Sequence, residues 1–265
     1  MDKQERLARR MEFGAAAQTY DAVRPGYPTR LVNALIMRAG LNNASRVLEI
    51  GCGTGQLTRD LAPTGCEIVC LEPSRELSEF ARRNLSRFPK VQVREELFEQ
   101  SKMVAEAFDL VVAATSFHWV DPETRCEKAC RVLRAGGMIG ILTNVHPGPL
   151  TDFFERVQDV YQAVAPELAH SGVRSETEKW SEELTAELVQ GDLFNHVEVL
   201  TQTWSQQLSR EQYLALLETF SRHRQLPEDQ RMCLFIEIGR LIDEGYGGYI
   251  HHPYLTTLCM ARKVE

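Results

Sequence analysis

Short apolar segments alternate with helical patterns between residues 45 and 142. The apolar segments are Arg46–Ile50, Glu67–Leu71, Val91–Val93, Phe108–Ala113 and Met138–Leu142. The helical patterns between them are Gln56–Leu61, Ser74–Leu85 and Pro122–Leu133. Strands joined by helical crossovers run parallel and are buried on both faces. The alternation therefore predicts an α/β fold with a parallel sheet covered by helices.

Regular patterns also flank this region. Before it, Thr29–Ala39 predicts an amphipathic helix that ends at Gly40, a common C-cap residue. After it come helical patterns at Pro149–Leu168, Ser181–Val189, Arg210–Ser221 and Pro227–Asp243. Two late apolar segments, Val197–Trp204 and Tyr254–Ala261, predict strands that complete the sheet. We therefore expect one domain, residues 1–265, with seven strands in a mostly parallel sheet and a helical cap.

The composition excludes several classes of protein. The chain has 265 residues, with 30 Lys and Arg against 37 Asp and Glu, so its formal net charge is −7. General binding to nucleic-acid phosphates usually needs a basic patch, so we expect no nucleic-acid partner. The first residues, MDKQERLARRMEFG, are charged, unlike a signal peptide. No apolar run reaches the roughly 18 residues of a membrane span, so we expect no membrane partner.

The seven cysteines indicate a reducing compartment. They form no CxxC pair, and Cys126 and Cys130 have no His or Cys that would complete a metal site. We expect reduced thiols, no metal and a cytoplasmic location. A monomer is the simplest oligomeric expectation.

A glycine-rich loop, Gly51–Gly55, follows the first predicted strand, and we call it the glycine loop. Its glycines at 51, 53 and 55 allow a sharp turn and a close approach of the backbone to a ligand. The third glycine comes four residues after the first, whereas a dinucleotide fingerprint needs five, and no Lys follows as in a Walker loop. The spacing favours an adenosine ligand without a pyrophosphate over a purely structural turn.

Glu72 ends the second predicted strand, 21 residues after Gly51. A carboxylate there can accept hydrogen bonds from two vicinal ribose hydroxyls, and it would repel a 2′-phosphate. The alternative is a solvated acid at the end of a strand. The spacing from the glycine loop favours the ribose-binding role.

Six segments together resemble the class I S-adenosylmethionine-dependent methyltransferases. They are YDAVRPGYP (20–28), VLEIGCGTG (47–55), LEPS (71–74), LFE (97–99), FDLVVAATSFHWVDP (108–122) and RVLRAGG (131–137). The fourth-strand segment resembles a subgroup that includes trans-aconitate-type and uncharacterised small-molecule methyltransferases. Ala135 stands where that family usually has proline. The resemblance implies a Rossmann-like fold, S-adenosyl-L-methionine as the cofactor and a small-molecule substrate.

The resemblance also implies roles for single residues. The cofactor-binding residues it implies are Glu49, Gly51, Cys52, Gly53, Gly55, Glu72, Pro73, Leu97, Phe98 and Thr115. The substrate-pocket residues are Tyr20, Arg24, Tyr27, His118 and Trp119. Within the domain it implies an N-terminal entry segment and helix (1–44), a cofactor-binding core (45–145) and cap insertions at 146–195 and 205–250.

Several alternatives stay open at this stage. His118 is the candidate general base, because imidazole titrates near neutral pH, or it is a structural histidine of the pocket. Arg24 pairs with an acidic group of a ligand, or it anchors the N-terminal segment. The acceptor is a carboxylate or a hydroxyl group. The competing functions are a non-catalytic binder of an adenosine ligand and an NAD-dependent oxidoreductase.

Overall fold

The computed structural model describes residues 17–147, 152–169, 176–189 and 192–264. These residues contain one sheet with the strand order β3-β2-β1-β4-β5-β7-β6. Its strands are β1 (Arg46–Ile50), β2 (Glu67–Leu71), β3 (Val91–Arg94), β4 (Phe108–Ala114), β5 (Leu133–Val145), β6 (Phe194–Ser209) and β7 (Tyr249–Lys263). Strands β1 to β5 pair in parallel, and β7 is antiparallel to both β5 and β6. The predicted seven-stranded, mostly parallel sheet is confirmed.

Helices flank the sheet, and the glycine loop precedes one of them. They are α1 (Ala17–Val23), α2 (Thr29–Ala39), α3 (Gln56–Leu61), α4 (Arg75–Asn84), α5 (Arg125–Val132), α6 (Phe153–Val164), α7 (Glu176–Val189), α8 (Arg210–Glu218), α9 (Ser221–Arg224) and α10 (Glu228–Tyr246). The predicted bounds of α2 and α3 are confirmed. The Ser74 side chain accepts from the Leu77 N–H and so caps α4, as its position predicts.

Two clusters of apolar side chains lie on opposite faces of the sheet. Alternate residues of each strand point to opposite faces, so Leu48 and Val111 belong to one cluster and Val47 and Leu110 to the other. A third cluster lies among the later helices and includes Phe153. Within the described ranges, none of the helices has the length and apolar character that crossing a bilayer requires.

Several element boundaries differ from the sequence prediction. The helix predicted over Pro149–Leu168 is described from Phe153 and stops at Val164, and residues 149–151 lie outside the described part. Pro166 is the reason, because proline lacks an N–H and disfavours helical backbone at the residue before it. Helix α5 starts at Arg125 rather than Pro122, after a turn in which Asp121 accepts from the Glu123 N–H.

The late strands β6 and β7 are longer than the apolar segments that predicted them. Their pairing continues beyond the last residue of β5, Val145, through Trp204↔Tyr254 to Ser209↔Tyr249. We call Trp204–Ser209 and Tyr249–Tyr254 the β6–β7 arm. Its Gln, Ser and His residues are unlike a buried strand, so hydrophobicity does not reveal it.

Candidate functional site

The glycine loop makes its turn with a backbone that favours glycine. Gly51, Gly53 and Gly55 have φ angles of 67°, 58° and 95°. A Cβ on Gly51 would lie 2.7 Å from the Ser116 Cβ, at the end of β4. The Gly51 N–H donates to the Leu71 carbonyl at 2.7 Å, which ties the loop to the end of β2. The loop therefore lies at the carboxyl edge of β1, β2 and β4, where α/β sheets bind ligands.

Glu72 faces the glycine loop from the end of β2. Its side chain is 5% exposed. One carboxylate oxygen accepts from the Gly53 N–H and the other from the Ser74 N–H, both at 2.9 Å. Each oxygen of a carboxylate has two lone pairs and can accept more than one hydrogen bond. The geometry suits a carboxylate that is fixed in place and can accept from the hydroxyls of a ribose.

Glu49 lies beneath the loop in β1 and is 1% exposed. The Thr58 hydroxyl donates to its carboxylate at 2.6 Å. Burial raises the pKa of Glu49 to about 8, and the charges of Asp60 and Glu72 add to the increase, while the Thr58 bond opposes it. A cation held nearby would favour the ionised form of this buried acid.

Other predicted cofactor residues surround these two acids. Cys52 is buried, and its thiol pKa is raised well above the usual value by a hydrogen bond with Cys70 and by burial. Pro73 lies between Glu72 and the cap residue Ser74. The residues that follow β1 and β2 therefore lie next to each other in the structure.

The segment after β3 contains the predicted cofactor residues Leu97 and Phe98. Phe98 is 2% exposed and packs in the hydrophobic core, with the Lys128 ammonium 5.2 Å from its ring centroid. Its ring therefore has a packing role. The Leu97 carbonyl accepts from the Gln100 and Ser101 N–H groups of the turn that follows it.

The N-terminal segment covers the glycine loop. The Tyr20 ring lies 3.4 Å from the position of a Cβ on Gly53. The Tyr27 hydroxyl is 3.0 Å from the Thr115 hydroxyl, just beyond β4, where Thr115 has a φ of 53°. Burial raises the pKa of both tyrosines. The predicted pocket residues 20 and 27 are thus brought to the predicted cofactor residues.

Arg24 fixes this segment to the later helices. Its guanidinium donates to the Thr219 hydroxyl and the Thr219 carbonyl, both at 2.9 Å. It also lies between the rings of Tyr20 and Phe220, about 5 Å from each centroid. These contacts correspond to the anchoring alternative for Arg24, although the side chain is part-buried rather than on the surface.

His118 and Trp119 lie in the short turn Phe117–Trp119 after β4. Their ring centroids are 4.9 Å apart, and both side chains are half-buried. The turn begins next to Ser116, whose hydroxyl donates to the Ile50 carbonyl at 2.5 Å. The two rings therefore lie two and three residues after Ser116, which contacts the glycine loop.

Sequence reasoning missed two residues that position the site. Thr219 holds Arg24, and the Asn144 side-chain N–H donates to the Gly26 carbonyl at 3.0 Å. Asn144 ends β5 next to β4, so its place at a polar strand end was a usable signal, whereas Thr219 gave none. Among the described residues, no three His, Cys, Asp or Glu side chains form a cluster that would hold a metal ion.

Comparisons with known proteins agree with this geometry. A family model described as a methyltransferase domain matches residues 48–141. An uncharacterized methyltransferase of Mycobacterium tuberculosis is 34% identical over 134 residues, which is 51% of this chain and 52% of that protein. The chain thus spans about half the length of that relative. An uncharacterized methyltransferase-like protein of Schizosaccharomyces pombe is 27% identical over 232 residues, which is 86% of this chain and 85% of the relative.

A solved structure shows the same fold. It is a putative methyltransferase from an antibiotic biosynthesis pathway of Anabaena variabilis, with a TM-score of 0.60 at 18% identity, and the match covers 86% of this chain and 96% of that one. The family match covers residues 48–50 of β1, the glycine loop, Glu72 and β4. Residues 48–141 are therefore similar to a methyltransferase domain, and the chain has the fold of the methyltransferase structure that it matches.

Proposed function

We propose that the protein transfers a methyl group from S-adenosyl-L-methionine to a small-molecule acceptor, at a carboxylate or hydroxyl oxygen. The observation that carries the proposal is Glu72, buried and fixed by two backbone N–H groups beside the glycine loop. This arrangement presents acceptor atoms for ribose hydroxyls at the carboxyl edge of the sheet. The family match over residues 48–141 supports the same chemistry.

The residues present fit an adenosine sulfonium ligand. When bound, S-adenosyl-L-methionine supplies an electrophilic methyl group whose leaving group is a neutral thioether. Glu72 would hold the ribose, and Glu49 would provide negative charge beneath the loop for the cationic end. Gly51 and Gly53 let the main chain pass close to the ligand, since a side chain at 51 would collide with Ser116.

The chain's main contribution to the reaction is alignment. Positioning of reacting groups can lower a barrier by roughly 7–11 kcal/mol in favourable intramolecular cases. Tyr20 lies over Gly53 and Tyr27 lies against Thr115, and these two half-buried rings would exclude water from this part of the site. His118 would take the proton of a hydroxyl acceptor, whereas a carboxylate acceptor is already ionised and needs no base.

The protein's setting is also a proposal. All seven cysteines are free, and we propose that the protein works in a reducing compartment such as the cytoplasm, as a monomer and without nucleic acid.

Label transfer tests the proposed activity. The purified chain is incubated with methyl-labelled S-adenosylmethionine and a panel of small hydroxy and carboxy compounds, and S-adenosylhomocysteine formation is followed. We expect product formation with at least one acceptor, and loss of it in Gly51→Ala. Binding of S-adenosylhomocysteine without turnover over a wide panel would instead support a non-catalytic binder.

A further inference from the structure

A cavity lies beside the predicted donor site. It has a volume of about 290 Å³ and is lined by Gly26, Tyr27, Pro28, Thr29, Gln202 and Trp204. One wall is the N-terminal segment, and the other is the last part of β6. A Cβ on Gly26 would meet no atom within 4 Å, so this wall leaves open space. None of the six described lining residues carries a charge.

Tyr27 connects this cavity with the donor site. Its hydroxyl lies 3.0 Å from that of Thr115, which directly follows β4. The next residue, Ser116, contacts the glycine loop. Tyr27 therefore lines this cavity and contacts the predicted cofactor residue Thr115 at the same time.

Trp204 provides a fixed flat wall for the cavity. Its indole N–H donates to the Thr256 hydroxyl at 2.8 Å, and that hydroxyl donates to the Asn144 amide oxygen at 2.5 Å. Its ring stacks on Tyr254 with centroids 4.7 Å apart and 23° between the planes. Because its one polar atom is already paired, the ring offers an apolar surface in a set orientation, which suits stacking with a flat ring.

Polar atoms without partners lie along the same face of β6 and β7. The amide oxygens of Gln202 and Gln206 and the hydroxyl of Tyr254 are buried and have no hydrogen-bond partner among the described residues. The side chain of Tyr254 is 5% exposed. Residues 202, 204 and 206 alternate along the strand and therefore share this face. Buried polar atoms are normally paired, and Gln202 is the member of this row that lines the cavity, where a hydrogen-bond donor of a ligand would satisfy its amide oxygen.

The charges distinguish between two kinds of acceptor. The described lining residues offer no positive charge to a carboxylate, whereas the unpaired Gln202 amide oxygen can accept a hydrogen bond from a hydroxyl group. Arg24, the nearby cation, already donates to Thr219 through two nitrogens. The cavity thus favours an uncharged ring with a hydroxyl group over an anionic acid.

We propose that this cavity binds the methyl acceptor, and that the acceptor is a flat, uncharged ring bearing a hydroxyl group. The proposal rests on the proposed methyltransferase function and chooses the hydroxyl among its two acceptor classes. Methylation of such a hydroxyl forms a carbon–oxygen bond and breaks the carbon–sulfur bond with both electrons remaining on sulfur. The hydroxyl proton passes to His118, as in the proposed function, and from there to solvent. Trp204 stacks on the ring, and Gln202 accepts from its hydroxyl group.

Titrations with phenol and benzoate test the proposal. Each is added to the full chain saturated with S-adenosylhomocysteine, and binding is followed by ligand-detected NMR. The variants are Trp204→Ala and Gln202→Leu, and the control is Gln207→Leu, which makes the same change on the exposed face of the same strand. We expect phenol to bind the wild type and the control equally. Its affinity should fall about fivefold or more in each of the two other variants, the effect of a lost hydrogen bond or ring contact.

The outcomes separate this proposal from the proposed function. Benzoate binding as tightly as phenol, phenol binding unchanged in both variants, or no phenol binding to the folded wild type would each overturn the cavity assignment. Calorimetry with S-adenosylhomocysteine on the same preparations tests the methyltransferase proposal separately, and its affinity should stay the same in all variants. If circular dichroism shows that Trp204→Ala does not fold, the phenol affinities of Gln202→Leu and Gln207→Leu are compared instead, and equal affinities overturn the cavity assignment.

Discussion

Glu49 is a buried acid whose ionisation is linked to stability. Its pKa in the folded chain is raised from 4.5 to about 8, mainly by burial. Between pH 4.5 and about pH 8 the Glu49 carboxyl is deprotonated in the unfolded chain and protonated in the folded chain. The free energy of unfolding therefore falls as pH rises through this range, by up to about 1.4 kcal/mol per pH unit, and the loss is complete above pH 8.

Glu49→Gln should remove this pH dependence. We expect the variant to gain stability relative to the wild type from pH 5 to pH 8 in the ligand-free state, measured by urea unfolding at both values. Glu79→Gln changes an exposed acid and should keep the wild-type slope. Equal slopes in the wild type and Glu49→Gln would show that Glu49 is ionised in the folded chain.

Gly51 is the glycine of the loop with the least space for a side chain. Gly51→Ala forces alanine into a φ of 67° and places its Cβ 2.7 Å from that of Ser116. We expect a loss of at least about 1–2 kcal/mol in the free energy of unfolding. Gly26→Ala is the control, because its Cβ meets nothing within 4 Å. In the double variant that combines Gly51→Ala with Ser116→Gly, the steric part of the lost stability should be recovered. A Gly51→Ala variant as stable as the wild type would disprove the close approach.

At the scale of elements, Arg24, directly after α1, ties this helix to the end of α8. Arg24→Ala removes both hydrogen bonds to Thr219 and the packing between two rings. We expect faster backbone hydrogen exchange in residues 17–28, measured by mass spectrometry. We also expect weaker binding of S-adenosylhomocysteine, measured by calorimetry. Arg38→Ala, which breaks the exposed pair with Glu198, should leave both unchanged. Unchanged exchange in Arg24→Ala would mean that other contacts hold α1.

Elements with a strong local pattern were predictable from the sequence. The bounds of β1, β2 and α3 match, because short apolar runs and a glycine loop define both ends of each element. The β6–β7 arm was not predictable, because its strands are held together by backbone hydrogen bonds. Every residue except proline can donate such a bond, so the side chains give no signal. Pro253 lies in this arm opposite Ser205 and would normally be taken as the end of a strand.

At the scale of the whole molecule, a partly buried ion pair joins α5 to the later helix α7. Arg125 of α5 donates to Glu187 of α7 and, at 3.1 Å, to the Phe117 carbonyl. Arg125→Ala leaves the half-buried Glu187 unpaired and removes the donor to the Phe117 carbonyl, so it should cost about 1–3 kcal/mol in urea unfolding. Arg75→Ala breaks an exposed pair and should cost less than about 1 kcal/mol. Similar losses in the two variants would show that the pair does not stabilise the fold.

The candidate site was predictable where it lies on consecutive residues and was missed where distant segments meet. Glycine spacing and the position of Glu72 located the loop and its acid in advance. The contacts of Arg24 with Thr219 and of Trp204 with Thr256 join residues far apart in the chain. Such pairs depend on how the later helices and strands fold back on the N-terminal segment and the sheet, which no local pattern encodes. Phe98 shows the reverse case, since its motif suggested a ligand contact and the fold uses its ring in the core.

The central claim is that Glu72 and the glycine loop bind the adenosine part of a methyl donor. Calorimetric titration of S-adenosylhomocysteine into the wild type, Glu72→Ala and the exposed control Glu79→Ala tests it directly. The account predicts tight binding to the wild type and the control, with a loss of about 1–3 kcal/mol in Glu72→Ala. Equal affinity of the wild type and a folded Glu72→Ala, or no binding to the wild type at millimolar ligand, would contradict it.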